Sequence, residues 1–419
     1  MRAGPNPSSL ERLTEVFCPQ IIGNVCEDSL AVTLKDVARE SGVNVSTVSR
    51  ALNNCYGVHD DTRRLVLKVA ARLNYRANQV ARGLVTGRSR SIGLVISDIR
   101  NPFFAEVARG AEDAAFHAGR DLVLCNCDLN AEKQKHYFDW LLAKRVEGIV
   151  MNSVAPLGPA LQDQLRGAGV PVVLLNLSSA HRRSRVWRFS SAVADNALGG
   201  EIAGNYLIEL GHRHVLHITG PRTHGNFTDR AQGFLKVFRD RGLPKPEVIY
   251  GEHTFAGAHE SAREQLQSDR NFTAIFAGND VIAFGCMRAM MEKGIRVPED
   301  VSIIGFDNIE MSQITSPPLT TIDQPKYETG KAAVEMILSM VSKGGSREPE
   351  HRIIGVRLIE RESCRSIPGA AVPDRKPAMR PAAGGSADSG SAETEAPGKE
   401  SDGGRGRVRP SPLAPAPSG

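Results

Sequence analysis

Residues 33–53 read TLKDVARESGVNVSTVSRALN, and this stretch decides the fold of the N-terminal part of the chain. Thr33 followed three residues later by Asp36 is typical of a helix N-terminus, because a hydroxyl and a first-turn carboxylate both interact with unpaired N–H groups. Apolar residues then recur at helical spacing. Gly42 can adopt the left-handed backbone that a tight helix-to-helix turn needs, so we expect the first helix to end there.

A second short helix is predicted to begin at Asn44 or Val45. Its apolar side consists of Val48 and Leu52, at a spacing of four residues. The small polar and basic side chains point mostly to the other side. Two short helices joined by a glycine turn, the second with a polar and basic outer face, predict a helix-turn-helix with a recognition helix.

A third helix completes this small module, for which we predict residues 32–76. Asp60 or Asp61 is the expected N-cap. One side of the helix is apolar and carries Leu65, Val69 and Leu73. Basic residues outnumber acidic ones between Val32 and Arg90, although the whole chain has 52 basic and 47 acidic residues and a net charge of only +5. A small basic module on a nearly neutral body indicates a nucleic-acid binder.

Three segments carry a resemblance that is more specific than the helix-turn-helix. DVARESGVNVSTVSRALN, VHDDTRRLVLKVAARLNYRAN and NQVARGLVTGRSRSIGLV together resemble the DNA-binding headpiece and hinge of the LacI/GalR family of bacterial transcription regulators. The similarity continues to about Glu362. It implies a cytoplasmic, dimeric regulator, which we expect to be a repressor, with operator DNA and a small-molecule effector as partners.

The resemblance also assigns DNA contacts. It implies that the first residues of the recognition helix and the residue at the Arg50 position read base edges, and we expect the other polar residues of the helix to hold phosphates. The base-edge candidates are Val45, Ser46 and Arg50, and the phosphate candidates are Thr47, Ser49 and Asn53. Residues 77–90 correspond to the family's hinge helix and linker, in which Leu84 stands where the family wedges a leucine into the minor groove.

From Ser91 the pattern changes to short apolar strands alternating with helices. SIGLVIS, DLVLCNC, GIVMNS and PVVLLNL form a first set, and HVLHITG, EVIYGE, TAIFAG and VSIIGFD form a second. Buried parallel strands joined by helices predict doubly wound sheets. With a crossing at LTTIDQPK, residues 91–365 resemble the two-lobed, periplasmic-binding-protein-like α/β sensor of the family, whose ligand lies in the cleft between the lobes.

The resemblance, taken position by position, nominates residues that hold the effector. These are Asn101, Phe103, Phe104, Asp195, His224, Asn226, Arg230, Asn279, Asp280 and Gln324. An acid and an arginine in one cleft suit a polyhydroxyl ligand, because each can make two hydrogen bonds. We therefore expect a sugar or sugar derivative, and a purine or nucleoside is the alternative through His224 and the paired phenylalanines. Asp280 is also a candidate N-cap of the helix that follows it.

Other classes of protein find less support in the sequence. A periplasmic binding protein without DNA function would leave residues 33–84 unexplained, and an enzyme would need a reactive constellation that the sequence does not offer. The histidines of GHRHVLH do not all share one strand face, so we expect no metal there, and no cofactor. The seven scattered cysteines are expected to be reduced. No apolar run is long enough to predict a membrane span.

Both ends of the chain lie outside the family pattern. Residues 1–31 form an extension that we expect to be disordered, and residues 366–419 are rich in Pro, Gly, Ala and Ser, a composition typical of disordered tails. No leucine heptads follow the sensor, so a homodimer is expected rather than a tetramer. The sequence leaves open the identity of the effector, the target genes, and whether the effector releases or strengthens DNA binding.

Overall fold

The computed structural model describes residues 32–75, 89–154, 158–184, 189–267, 271–343 and 348–367. Its N-terminal headpiece consists of α1 (Leu34–Ser41), α2 (Val45–Leu52) and α3 (Asp60–Arg72). These helices enclose a hydrophobic core of their own, in which Val37, Val48 and Val66 are completely buried. The headpiece therefore has the independent apolar centre that a small domain needs.

The capping residues and the turn glycine that were predicted for the first two helices are present at the expected positions. The Asp36 carboxylate accepts hydrogen bonds from the Thr33 N–H and hydroxyl, at 3.0 and 2.7 Å. Gly42 has a φ of 69° in the turn, and the Asn44 side chain caps α2 by accepting from the Ser46 N–H. The helix-turn-helix thus follows from capping chemistry and one left-handed glycine.

The third helix differs in detail from the prediction. His59, rather than Asp60 or Asp61, is its N-cap. Leu65 is 45% exposed, whereas Val66, Val69 and Ala70 face the core. Because the helix begins one residue earlier than an Asp60 cap requires, and two earlier than an Asp61 cap requires, the two carboxylates lie in the first turn, where the helix dipole favours them.

The first lobe is built on a six-stranded sheet in the order β11-β5-β4-β3-β1-β2, with parallel pairing throughout. Its strands are β1 (Ser91–Ile96), β2 (Asp121–Asn126), β3 (Gly148–Met151), β4 (Val172–Leu174), β5 (Ser190–Ala194) and β11 (His351–Ile354). Its helices are α4 (Pro102–His117), α5 (Ala131–Ala143), α6 (Pro159–Arg166), α7 (Ser179–Arg183) and α12 (Lys326–Ser342). Apolar clusters pack on both faces of this sheet.

The second lobe repeats this architecture in the order β12-β10-β9-β8-β6-β7, in which only the β10–β12 pair is antiparallel. Its strands are β6 (Val215–Thr219), β7 (Glu247–Tyr250), β8 (Ala274–Ala277), β9 (Ser302–Asp307), β10 (Thr320–Asp323) and β12 (Arg357–Ile359). Its helices are α8 (Asn196–Glu209), α9 (Gly225–Asp240), α10 (Phe255–Gln265) and α11 (Asp280–Glu292), with a 3₁₀ turn at Glu310–Gln313.

The chain passes between the lobes after β5, after β10 and after β11. The passage after β10 is the one predicted at LTTIDQPK. All the predicted strands are present, whereas β5, β10, β11 and β12 were not predicted as strands. These connections turn the carboxyl ends of strands from both sheets toward one cleft, which is where open α/β sheets bind ligands.

Candidate functional site

The outer face of α2 is accessible for DNA. Val45 (38% exposed), Ser46, Arg50 and Asn53 are exposed, and Thr47 and Ser49 are half-buried. The Asn53 side-chain amide donates to the Ser49 carbonyl at 2.8 Å, which orders the end of the helix. Leu84 lies outside the described residues.

Ion pairs determine which headpiece arginines remain available to a polyanion. Arg39 pairs with Asp36, Arg64 with Asp61, and Arg72 with Glu40. Within residues 32–75, Arg50 has no carboxylate partner. Its charge is therefore not offset by a neighbouring acid, and it projects from the helix expected to enter the major groove.

A cavity with an empty volume of about 580 Å³, counting its open mouth, lies between the two lobes. First-lobe residues that line it include Ser97, Asn101, Phe103, Phe104, Asn152, Leu175 and Ala194, together with Thr329 of α12. Second-lobe residues that line it are Asn196, His224, Asn226, Phe227, Arg230, His253, Asn279, Asp307 and Gln324. The wall is therefore formed at the carboxyl ends of strands from both sheets, and most of its residues are of polar type.

Arg230 is fixed in this wall by the second lobe. It is 2% exposed, and its guanidinium donates to the Asn196 side chain at 2.8 Å and to the Gly278 carbonyl at 2.5 Å. The guanidinium also stacks on Phe306, 3.6 Å from the ring centroid. Burial lowers the pKa of Arg230 to about 10, so it remains charged at neutral pH.

The acid that faces Arg230 is Asp307, with 3.4 Å between Nη2 and Oδ1. Asp307 has a φ of 110°, a region that residues with a side chain rarely adopt. Lys326 holds this backbone by donating to the carbonyls of Asp307 and Asn308 at 2.7 and 2.9 Å. The Gln324 amide donates to the Asp307 carboxylate, whose pKa is raised by burial.

Asp280, the acid nominated from the sequence, does not line the cavity. It is fully buried behind it, where it accepts hydrogen bonds from the Ile309 N–H at 2.9 Å and the Thr321 hydroxyl at 2.6 Å. Burial, reinforced by Asp307, raises the pKa of Asp280 to about 8. The structure differs from the expectation because Asp280 begins α11 and its side chain turns toward the strand ends beneath the cavity, where it holds the backbone that follows Asp307.

The other nominated residues divide between the wall and helix caps. Asp195 is absent from the wall and caps α8 by accepting from the Leu198 N–H. Asn101 and Asn279 cap α4 and α11 with their side-chain oxygens, and both line the cavity. A cap fixes one end of the side-chain amide, which leaves the other end oriented for a ligand.

Aromatic rings form the rest of the wall. Phe103 and Phe104 pack edge to face with their centroids 5.0 Å apart. His224 and His253 lie 5.4 Å apart, and Phe227 is 5.4 Å from His253. Burial lowers the pKa of His224 to about 4 and also lowers the pKa of His253. At neutral pH these imidazoles are therefore uncharged hydrogen-bonding groups.

The lining residues that were not nominated from the sequence are Ser97, Asn152, Leu175, Ala194, Asn196, Phe227, His253, Asp307 and Thr329. Most of them follow a strand or end one, as Asp307 ends the predicted strand VSIIGFD. Their positions at or just after the ends of predicted strands were the feature of the sequence from which most of them could have been nominated.

The histidines of GHRHVLH do not converge. His212 hydrogen-bonds to the Thr273 hydroxyl and the Arg365 carbonyl, His214 is exposed, and His217 is buried and stacked on Phe276. Within the described ranges there is no group of three or more acidic, histidine or cysteine side chains arranged to hold a metal ion. None of the described helices is both long and apolar enough to span a bilayer.

Comparison with known proteins agrees with this architecture. Residues 33–78 match the model of bacterial regulatory proteins of the lacI family, and residues 205–364 match that of a periplasmic binding protein-like domain. The HTH-type transcriptional repressor PurR of Photorhabdus laumondii is 37% identical over 341 residues, which cover 79% of this chain and 96% of the relative. The chain belongs to the lacI family of bacterial regulatory proteins. The resemblance noted in the sequence and the predicted fold class are confirmed.

Solved lacI-family structures are similar along most of their length. A Lac repressor dimer bound to operator and the anti-inducer ONPF is 28% identical with a TM-score of 0.71, covering 80% of this chain and 99% of that one. A LacI family regulator from Enterococcus faecium with bound ribose is 30% identical with a TM-score of 0.58, covering 66% of this chain and 99% of that one.

Proposed function

We propose that this lacI-family protein is a DNA-binding transcription repressor whose operator affinity is controlled by a small molecule bound between its lobes. The observation that carries the proposal is the combination, in one chain, of a separately cored helix-turn-helix headpiece with an interlobe cavity of converging polar side chains. Its relatives are regulators rather than enzymes, which supports regulation by binding.

For DNA, the exposed face of α2 supports a division of roles. Val45, Ser46 and Arg50 read base edges, with Arg50 donating to guanine O6 and N7, a contact worth ~1–3 kcal/mol of discrimination. Thr47, Ser49 and Asn53 hold phosphates. A homodimer places two headpieces on two half-sites, and Leu84 of each protomer wedges into the minor groove between them. The Lac repressor dimer bound to operator supports this arrangement.

The effector is a sugar or sugar derivative. Arg230 and Asp307 face each other in a wall rich in amides and hydroxyls, a set that hydrogen-bonds to neighbouring hydroxyl groups. Phe103 and Phe104 offer rings for stacking on the apolar face of a sugar. The regulator with bound ribose supports this choice.

A purine is the alternative effector, and specific observations favour it. The HTH-type transcriptional repressor PurR of Photorhabdus laumondii is 37% identical to this chain, whereas the ribose-bound regulator is 30% identical. Here His224 and His253 lie beside Phe227, and together they give the cavity flat surfaces that suit a planar base.

Effector and operator are coupled through the lobes. The effector contacts both lobes, so binding changes their relative angle. Strand β1 of the first lobe follows residues 77–90, which the family resemblance assigns to the hinge. A short hinge helix is marginal in water and needs its partner and the DNA to fold, so a small displacement can melt it.

Selection from random DNA pools with the full-length protein tests the DNA function, and a thermal-shift screen of sugars and purines tests the effector function. We expect a pseudopalindromic site to be enriched, and a sugar both to raise the melting temperature and to change operator affinity. Arg230→Gln should remove the effector response and keep DNA selection, whereas Arg50→Ala should do the reverse. Absence of any enriched site, or an unchanged response in Arg230→Gln, would contradict the proposal.

A further inference from the structure

The cavity wall contains few groups that can be charged. Its ionisable lining residues are Arg230, Asp307, His224 and His253, and the remaining wall consists of amides, hydroxyls, apolar side chains and phenylalanine rings. Arg230 and Asp307 carry opposite charges and lie 3.4 Å apart. Burial lowers the pKa of both imidazoles, so the histidines add no positive charge to this ion pair at neutral pH.

The one cationic side chain of the wall is already engaged. Arg230 uses Nε for the Asn196 side chain and Nη1 for the Gly278 carbonyl, and it directs Nη2 to the Asp307 carboxylate. An anionic ligand group reaching Arg230 would therefore meet a carboxylate beside it. Moving an anion from water into such a place without a new cation costs binding free energy.

Carboxylates near the mouth of the cavity also disfavour the binding of an anionic ligand. Asp98 and Glu252 are close enough to His253 to favour its charged form, although burial outweighs them. Arg100, at the same edge of the first lobe, pairs with Asp98 and Asp128 and is largely exposed. Among the residues that line the cavity, no cation is therefore left without a carboxylate partner.

Two buried polar atoms of the cavity wall are suited to a ligand that carries neutral hydrogen-bonding groups. Within the described part of the chain, His224 Nε2 and Asn226 Oδ1 are buried and have no hydrogen-bond partner. Both residues line the cavity. A buried polar atom without a partner is destabilising, and a hydroxyl satisfies either atom because it both donates and accepts.

We propose that the effector is an uncharged hydroxyl-bearing molecule, a free sugar or a nucleoside, and that His224 and Asn226 select it over its phosphorylated or carboxylated counterparts. This inference rests on the proposed effector-binding function and narrows it to one chemical class. A phosphate or carboxylate on an otherwise matching ligand should weaken binding by about 100-fold or more, because the added anion has no unpaired cation to bind.

The anion alone provides the first test. In thermal-shift measurements at matched ionic strength, inorganic phosphate should stabilise the wild type no more than chloride does. Asp307→Asn leaves Arg230 without its carboxylate partner, so phosphate should stabilise this variant specifically. Asp128→Asn removes a carboxylate beside the exposed Arg100 and is the matched control, for which we expect no gain. Stabilisation of the wild type by phosphate that disappears in Arg230→Gln would overturn the proposal.

Matched ligand pairs provide the second test. Calorimetry with the full-length wild type compares ribose with ribose 5-phosphate, glucose with glucose 6-phosphate and glucuronate, and adenosine with its monophosphate. Binding restricted to neutral members, and weakened in Asn226→Ala, is the expected result. Tighter binding of an anionic member would overturn the charge inference and leave the effector function standing. No binding in any pair, with no phosphate effect in any variant, would overturn the effector function and this inference with it.

Discussion

Arg50 is the headpiece arginine on the exposed face of α2 that forms no ion pair within residues 32–75. Arg50→Ala should abolish the preference for operator over random DNA and leave weak, salt-sensitive binding, because phosphate contacts persist. Gel shifts at several salt concentrations measure both properties. Arg64→Ala, which removes an exposed arginine paired with Asp61, is the control that should retain the preference. Sequence preference that survives Arg50→Ala would contradict the assignment.

Asp280 gives a pH-dependent prediction. Its pKa is raised from 3.8 to about 8, so the folded protein holds this proton more tightly than the unfolded chain does. This contribution to the free energy of unfolding is complete below about pH 4 and is lost as the pH rises toward 8. Asp280→Asn removes the titration, so its stability relative to the wild type should increase over that range by up to ~1.4 kcal/mol per pH unit.

Urea unfolding of Asp280→Asn and the wild type between pH 5 and 8.5 checks this result, within a range set by the shifted pKa. Asp195→Asn is the control, since Asp195 caps a helix and is only half-buried. Parallel stability profiles for Asp280→Asn and the wild type would show that Asp280 does not titrate in this window.

The N-terminal end of α9 makes a close contact between the lobes. Asp229 accepts hydrogen bonds from the Ser179 N–H and hydroxyl of the first lobe, at 2.7 and 2.9 Å. A Cβ at Gly225 would lie 2.6 Å from the Ser178 backbone nitrogen. This approach is therefore restricted to glycine, and the contact fixes the lobes at the wall of the cavity.

Gly225→Ala should push α9 away from the first lobe and break the Ser179–Asp229 contact. Hydrogen–deuterium exchange of the peptide that contains Ser179 should become faster, and effector affinity should fall by about tenfold, as expected for a misplaced binding wall. Gly355→Ala is the matched control, because a Cβ there meets nothing within 4 Å. Equal exchange in both variants would contradict the role of this contact.

Strand β5 shows where sequence patterns fall short. Ser190–Ala194 is completely buried between β4 and β11, yet its residues are serine, alanine and one valine. Predictions based on apolar runs find large side chains, whereas this strand is specified by the neighbours with which it pairs. The prediction relied on apolar runs. It therefore found the strands that are rich in Val, Ile and Leu, and it missed β5.

The connection between effector and operator is a property of the whole molecule. If the effector changes operator affinity by some factor, operator DNA must change effector affinity by the same factor, because the coupling free energy is shared. Calorimetric titration of the effector with and without saturating operator measures that factor, and Gly225→Ala should reduce it. Equal effector affinities in the two titrations would rule out the proposed coupling.

Buried histidines determine how the second lobe responds to acid. His212, His217 and His224 each have a pKa lowered from 6.5 to about 4, with burial as the main cause. The unfolded chain binds these protons first, so stability should fall as the pH decreases from about 6.5 to 4, by up to ~1.4 kcal/mol per pH unit for each histidine. Urea unfolding across this range should show a smaller slope in His212→Asn than in the control His214→Asn, whose side chain is exposed. Identical slopes would contradict the assignment.

The family resemblance nominated eight of the seventeen residues that line the cavity. The sequence by itself determined the helix-turn-helix and the alternation of strands and helices. These features depend on local chemistry: caps at Thr33 and Asn44, a left-handed glycine at Gly42, and apolar runs of fixed period. The tertiary structure decided which acid faces Arg230. Asp280 and Asp307 both follow apolar runs, and only the packing of α11 over the ends of the strands buries the former and leaves the latter in the cavity wall. Side-chain direction at a strand end depends on what packs against it, and those neighbours are distant in the sequence.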